Sequence, residues 1–327
     1  MVDLVTGASG FLGNVLVREL LKQNHEVCVF IRKTSDITPI KDLPVTKFYG
    51  DVLDSESLLN AFDKVDVVYH MAGRISIMPG DHLNLTKVNY TSIINVIKAC
   101  FEKNIKKLIY TSTIHALKEP EFGITIDESA PYCINNPRGC YDSAKAHASL
   151  EVLQAVRDGL DAVILNPTGV IGPYDFPVSP LTQTFIDYAK GKLKLMVEGA
   201  FDFVDVRDVA LGHIYASELG RTGESYILSG ERVKISELMK ILEDVTAIKA
   251  PSHYLPIKVA KAIGTIMPLY YWLTGKKPCF TRYSVETLVS NSFISHNKAT
   301  NELGYNPRPI KQCVRDTINW LKEVKLI

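Results

Sequence analysis

Val2-Asp3-Leu4-Val5-Thr6-Gly7-Ala8-Ser9-Gly10-Phe11-Leu12-Gly13 is the stretch on which the fold turns. A short β-favouring run, Val2–Thr6, leads straight into glycines spaced G-x-x-G-x-x-G, and a helical apolar pattern opens at Phe11. Without side chains at Gly7, Gly10 and Gly13 the backbone can turn tightly and approach a phosphate, whose charge the N-terminus of the following helix stabilises. A glycine triplet alone fits many strand-to-helix turns. The strand before it and the helix after it make this one a phosphate cradle.

Outward from the cradle the same rhythm repeats. Strands are expected at Val2–Thr6, Glu26–Ile31, Thr46–Tyr49, Val65–His70, Lys107–Thr111 and Asp161–Asn166, with helices at Phe11–Gln23, Ser55–Phe62, Val88–Lys103 and Tyr141–Arg157. Strands alternating with crossover helices imply an α/β fold, a Rossmann-type doubly wound parallel sheet. After Asn166 the rhythm stops, and Pro167, Gly172, Pro173, Pro177 and Pro180 mark a chain leaving the sheet. The expected organisation is a dinucleotide-binding domain over 1–166, with 201–230 returning to it through Phe203–Val206 and Ser225–Leu228. A smaller, mostly helical substrate-binding region takes 167–200 and 231–327.

Bulk composition narrows the function classes. The 327 residues carry 37 Lys+Arg against 36 Asp+Glu, which leaves no field to attract nucleic acid. Cys28, Cys100, Cys133, Cys140, Cys279 and Cys313 have neither C-x-x-C spacing nor nearby His pairs, so they read as reduced thiols of a cytoplasmic protein without a metal. The first strand starts at Val2, leaving no room before it for a signal peptide. The longest apolar stretch, Leu255 to Thr274, is interrupted by Lys258 and Lys261 and flanked by prolines, which argues against a membrane span and leaves an interfacial helix open.

The second strand ends in Arg32-Lys33-Thr34-Ser35, with no acid to hold the ribose 2′-hydroxyl of NAD. Arg32 offers a planar fork to a 2′-phosphate and Lys33 adds charge, so NADP (NADPH) is preferred and NAD remains possible. Asp51-Val52 can place a carboxylate near the adenine, or Asp51 can cap the next helix. His70-Met71-Ala72-Gly73 ends the fourth strand in small residues suited to close approach by a cofactor; His70 itself reads as a satisfied strand-end residue.

Tyr141 and Lys145 stand four residues apart, on one face of a helix. A free phenol has a pKa of about 10, and a fixed ammonium nearby favours the phenolate and makes the pair a usable proton donor and acceptor. The fifth strand ends Thr111-Ser112-Thr113, supplying hydroxyls at the carboxyl edge of the sheet, where ligands bind in such folds.

The glycine run, Asp51-Val52, His70-Met71-Ala72-Gly73, Asn89, Thr111-Ser112-Thr113, Tyr141 with Lys145 and Asn166-Pro167-Thr168 occur in the order that the extended short-chain dehydrogenases/reductases show. Phe203-Val204-Asp205-Val206-Arg207-Asp208-Val209-Ala210 and Leu303-Gly304-Tyr305 resemble that family's C-terminal patterns, so the likeness spans essentially the whole chain. It looks most like the dihydroflavonol 4-reductase-like branch of the epimerase/dehydratase superfamily, which is also similar to 3β-hydroxysteroid dehydrogenases and hopanoid-associated sugar epimerases. The resemblance implies that Tyr141 is the acid/base, that Lys145 binds the nicotinamide ribose and that Thr113 fills the catalytic hydroxyl position. Gly7, Ser9, Gly10, Phe11, Leu12, Gly13, Met71, Ala72, Gly73, Asn89, Thr111, Asn166, Pro167 and Thr168 would line the cofactor. A homodimer through the helices over 88–103 and 141–157 is implied as well. Two departures stand out: Thr113 replaces the commoner Ser, and Asn166 stands where Arg frequently precedes the proline.

The implied reaction is reduction of a small carbonyl substrate. The aromatic-rich segment Pro251 to Phe280, with Tyr254, Tyr270, Tyr271 and Trp272, is a pocket wall for an apolar ring compound, a packing element or a membrane-surface contact. The loop Val170–Pro180 is placed to cover the site, and His115 reads as an ordinary loop histidine. A nucleotide-sugar epimerase or dehydratase with tightly held NAD is the main rival; it needs cations for a second diphosphate, and Arg207, Arg232 and Arg282 are candidates. A non-catalytic NADP-sensing protein is the third reading, and the intact Tyr141 and Lys145 speak against it.

Overall fold

The computed structural model describes residues 1–75, 82–275 and 280–327. The expected strands form as β1 (Val2–Thr6), β2 (Glu26–Ile31), β3 (Thr46–Tyr49), β4 (Val67–His70), β5 (Lys107–Thr111) and β6 (Ala162–Pro167). They are followed by β7 (Gly169–Ile171), β8 (Met196–Val197), β9 (Ala200–Asp205), β10 (Ser225–Leu228), β11 (Glu231–Lys234) and β12 (Tyr254–Leu255). The main sheet runs β10-β6-β5-β4-β1-β2-β3, every pair parallel. Strand order reverses between β1 and β4, so their carboxyl ends open the crevice where such sheets bind ligands.

The helices are α1 (Phe11–Lys22), α2 (Ser55–Ala61), α3 (His82–Thr86), α4 (Ser92–Glu102), α5 (Cys140–Arg157), α6 (Pro180–Ala189) and α7 (Val206–Leu219). The C-terminal third adds α8 (Ile235–Thr246), α9 (Ile257–Thr274), α10 (Arg282–Leu288), α11 (Asn297–Leu303) and α12 (Ile310–Glu323). Period-two alternation gives the sheet two apolar faces. Val5, Val29, Ile109 and Leu165 pack with residues of α1 and α7, while Leu4, Phe30, Val68 and Leu108 pack with residues of α4 and α5. Each fully buried side chain of this size is worth roughly 1.5–3 kcal/mol, so both faces hold the crevice rigid from beneath.

The expected helix over 88–103 forms, entered from α3 through a π turn over Lys87–Thr91 in which Asn89 is fully buried. Elsewhere the structure departs from expectation. The run Phe203–Val206 does not return to the main sheet; β9 lies between β11 and β7 in a separate three-stranded sheet. The edge beside β6 is already taken by β10, and Phe201 and Phe203 of β9 complete a second core with residues of α8 and α12. The loop over 170–180, expected to cover the site, is held against α1 and α12. The Arg18 guanidinium lies 4.7 Å from the Tyr174 ring centre, Asn14 Nδ2 donates to Tyr174 O at 3.1 Å, and Phe176 packs edge-on to Trp320.

Among the described residues no helix is long and apolar enough to cross a membrane. Cys28, Cys100, Cys133 and Cys313 are free thiols; Cys279 lies outside the described residues.

Candidate active site

At the end of β1 the chain turns through Gly7 at φ 71°, where a side chain would be strained. A Cβ on Gly7 would sit 2.8 Å from the Ala72 amide nitrogen, and one on Gly13 would sit 2.3 Å from the Gly7 carbonyl oxygen. The backbones after β1 and β4 are therefore in direct contact, and only glycine permits it. Gly10 caps α1 without any side-chain hydrogen bond, so the first amides of a twelve-residue helix point into the crevice unclaimed by a cap. This cradle fits the pyrophosphate of a dinucleotide in both shape and sign. Ser9, Phe11 and Leu12 are half-buried around it.

Behind the cradle runs a satisfied polar chain. Ala72 N–H donates to Thr6 Oγ1 (3.2 Å), which bonds His70 Nδ1 (2.9 Å); His70 Nε2 bonds Ser92 Oγ (3.3 Å), which donates to Val88 O (2.5 Å). Burial first, and the Lys145 ammonium second, lower the His70 pKa to about 3, so the imidazole is a neutral spacer, as the strand-end reading expects. Asn89 clamps the backbone after β4 from the other side, accepting from Arg74 N–H (2.9 Å) and donating to Arg74 O (2.8 Å). A Cβ on Gly73 would lie 3.0 Å from Asn89 Oδ1 and 3.7 Å from Lys145 Nζ. Gly73, Asn89 and Lys145 thus meet at one point of the sheet edge.

Lys145 is buried on α5 with its ammonium donating to Thr111 O at 2.7 Å and to the Tyr110 hydroxyl at 3.4 Å, 4.9 Å from the centre of the Tyr110 ring. Among the described residues no carboxylate pairs with it, and burial lowers its pKa to about 7. Tyr141 is half-buried one turn earlier. Its phenol pKa is raised, by burial first and by the neighbouring Asp142 carboxylate second. The expected lowering of the phenol by Lys145 is thus absent: the ammonium is spent on Thr111 O and Tyr110, and Asp142 acts in the opposite direction.

The three hydroxyls after β5 separate. Thr111 Oγ1 bonds His213 Nε2 at 2.8 Å on the α7 side, and Ser112 Oγ bonds Ser149 Oγ at 2.8 Å on the α5 side. His213 is held neutral, its pKa lowered to about 4 by burial, with Nδ1 bonded to Val209 O (2.8 Å). Among the described residues Thr113 Oγ1 accepts only from His115 N–H, at 3.3 Å, and so keeps its own proton to donate. His115 stacks on Phe201 at 5.6 Å between ring centres, and burial lowers its pKa to about 3.

Arg32 and Lys33 are exposed just past β2, and neither forms an ion pair among the described residues. Asp51 accepts from Leu53 N–H at 2.9 Å, while capping of α2 falls to Asp54, which accepts from Glu56 N–H. Val52 is half-buried, its carbonyl accepting from Asn95 Nδ2 at 3.1 Å. At the end of β6, Pro167 is buried, whereas the Thr168 hydroxyl turns away to Asp202 (2.6 Å). Asn166 is fully buried beside Tyr132, and neither of its amide atoms has a hydrogen-bond partner among the described residues.

Sequence reading missed two contributors. Tyr110 supplies the ring beneath Lys145; its place one residue before Thr111, on the α5 face of β5, was the available signal. Asp142, buried in the first turn of α5, accepts from the Tyr283 hydroxyl at 3.2 Å and lies 3.9 Å from Arg138, which bridges to Glu119 at 2.8 Å. This network ties the turn carrying Tyr141 to α10, and nothing local in the sequence links residues so far apart.

The model of the family described as NAD dependent epimerase/dehydratase matches residues 4–229. Sterol demethylase protein B of Methylococcus capsulatus is 32% identical over 332 residues, covering 100% of both chains. A Synechocystis protein provisionally named dihydroflavonol 4-reductase is 28% identical over 97% of this chain and 94% of its own. Among solved structures, that of gox2253 superimposes with a TM-score of 0.87 at 32% identity, covering 100% of this chain and 99% of the other.

Proposed function

The chain belongs to the NAD dependent epimerase/dehydratase family, within the extended short-chain dehydrogenases/reductases, and from that premise we propose that it is an NADPH-dependent reductase of a ketone or aldehyde on an apolar, ring-bearing small molecule. The observation that carries this reading is the buried Lys145 ammonium, anchored on Thr111 O one helical turn from Tyr141 and beside Gly73, on the same sheet edge as the glycine cradle.

When bound, the nicotinamide supplies hydride to the carbonyl carbon. Gly7, Gly10 and Gly13 would take the pyrophosphate, Asp51 and Val52 the adenine side, and Arg32 with Lys33 the 2′-phosphate. Lys145, Gly73 and Pro167 would meet the nicotinamide end, with Asn89 holding the backbone there. Thr113 orients the carbonyl oxygen through its hydroxyl, and Tyr141 delivers the proton. A phenol whose pKa is held above its ordinary value is protonated at neutral pH, which suits a proton donor in the reducing direction.

Two of the cations that a nucleotide-sugar substrate would need are engaged. Arg207 forms ion pairs with Asp205 (2.7 Å) and Asp316 (2.6 Å), and Arg282 pairs with Glu286 (2.8 Å). Arg232 lies over the Phe293 ring and bonds Ser292. The names of the two relatives, one a sterol protein and the other a dihydroflavonol reductase, agree with an apolar ring substrate. Association into a dimer through the outer faces of α4 and α5, where Phe101 and Leu150 are exposed, belongs to the same proposal. Following NADPH absorbance with a panel of cyclic ketones tests it: steady consumption is expected. Tightly retained NAD together with interconversion of a nucleotide sugar would overturn it.

A further inference from the structure

Helix α9 is apolar yet largely unburied. Of its eighteen residues only Ala260, Gly264 and Tyr271 are buried. These small or inward-facing positions seat it on α10: a Cβ on Gly264 would lie 2.6 Å from the Arg282 amide nitrogen, and the Tyr271 hydroxyl accepts from Phe280 N–H at 3.0 Å. The outer face carries Val259, Ile266, Leu269, Trp272 and Leu273, with Ile266 and Leu273 each 68% and Trp272 77% exposed. So large a run of exposed apolar side chains marks a contact surface.

Charge says what meets it. From Asp244 to Glu286 the sequence contains no acidic residue between those two positions and six cations: Lys249, Lys258, Lys261, Lys276, Lys277 and Arg282. The chain as a whole carries +1, so this stretch of cations is set against a remainder of −5. Lys258 projects from the first turn of α9, Lys261 is half-buried beside it, and Lys276 and Lys277 follow the helix in sequence. Pairing two copies through this face would bring Lys258 and Lys261 of each copy together, with no carboxylate on α9 itself to neutralise them. An anionic phospholipid surface supplies both an apolar layer for the outer side chains and phosphate for the lysines. The helix is about 27 Å long, holds Pro268 and two lysines, and so suits lying in the interface plane.

We propose that α9 is an in-plane docking helix by which the protein rests on anionic phospholipid membranes. Helix α9 packs on α10, and Tyr283 of α10 bonds Asp142 next to Tyr141, so a membrane bound at α9 would lie one helix beyond the turn that carries Tyr141. Docking does not depend on the catalytic reading and is measured without cofactor or substrate.

Trp272 is a built-in reporter, since the other tryptophan, Trp320, is only 5% exposed. The test is co-sedimentation and tryptophan emission of the full chain with vesicles of phosphatidylcholine alone and of phosphatidylcholine with about a third phosphatidylglycerol. Binding to the anionic vesicles with a blue shift is expected, the shift disappearing in Trp272→Phe. Ile266→Glu/Leu273→Glu should abolish binding. Lys258→Glu/Lys261→Glu should weaken it by roughly 25-fold or more, at about fivefold for each lysine charge near such a surface. All four positions lie on or beside the outer face, and unchanged melting temperatures confirm that these variants fold. No pelleting of the wild type at millimolar lipid, or pelleting of both double variants equal to that of the wild type, overturns the proposal. So does a blue shift that follows protein concentration without lipid and accompanies dimer mass lost in Ile266→Glu/Leu273→Glu, which would assign the face to self-association.

Discussion

Replacing Lys145 by methionine should make the cofactor-free protein more stable while destroying its activity. Burial lowers the ammonium's pKa from 10.5 to about 7. A lysine depressed in this way costs stability wherever the unfolded chain holds a proton that the folded one resists: fully below pH 7, less and less as the pH rises toward 10.5, and not at all above. At pH 7 the cost is roughly 4 kcal/mol, from about 1.4 kcal/mol per pKa unit. Methionine removes it but leaves Thr111 O without its 2.7 Å donor, a loss of about 1–3 kcal/mol. The net gain is roughly 1–3 kcal/mol, and at about 1.5 °C per kcal/mol for a chain of this length the melting temperature should rise by about 2–5 °C. The assay is calorimetry of both proteins at pH 7 and pH 9.5, without cofactor. At the higher pH the wild type recovers roughly 3 kcal/mol and the gap should close or invert. A Lys145→Met protein that melts below wild type by the same margin at both pH values would refute the reasoning, for it would mean that the ammonium is fully compensated where it lies.

Gly13→Ala should weaken NADPH binding by at least tenfold with a smaller loss of stability, because its Cβ would stand 2.3 Å from Gly7 O and must push the cradle open; isothermal titration against a thermal melt separates the two effects. Arg32→Glu should lower NADPH affinity by about tenfold or more while leaving NADH within a factor of about three, since a charge-assisted contact to the 2′-phosphate is lost and an acid suited to the ribose hydroxyl gained; equal effects on both cofactors would remove Arg32 from the site.

Much of this was legible in the residues. Val2–Gly13 declares strand, cradle and helix through local rules, and each βα unit repeats them, so the main sheet and the position of Lys145 opposite the cradle follow from period and spacing. What stayed hidden depends on partners far apart in the chain. Phe203 has an alternation that suits either sheet, and only the occupation of the β6 edge by β10 decides between them. Tyr174 and Phe176 look like loop residues until Trp320, well over a hundred residues later, gives them a surface. The phenol of Tyr141 departs from the expected direction because it is itself buried and, second, because Asp142 is buried beside it, and the sequence does not tell which groups lose their water. In α9 the apolar content is plain from the letters, but its exposure is a tertiary fact.

The most direct test of the account follows the hydride itself. With NADPH deuterated at the transferring position and a cyclic ketone turned over by the enzyme, wild type is predicted to yield one deuterated alcohol for each NADPH oxidised. Tyr141→Phe should bind NADPH unchanged yet turn over about 10²–10⁴-fold more slowly. Alcohol without deuterium, or a Tyr141→Phe enzyme as fast as wild type, would contradict it.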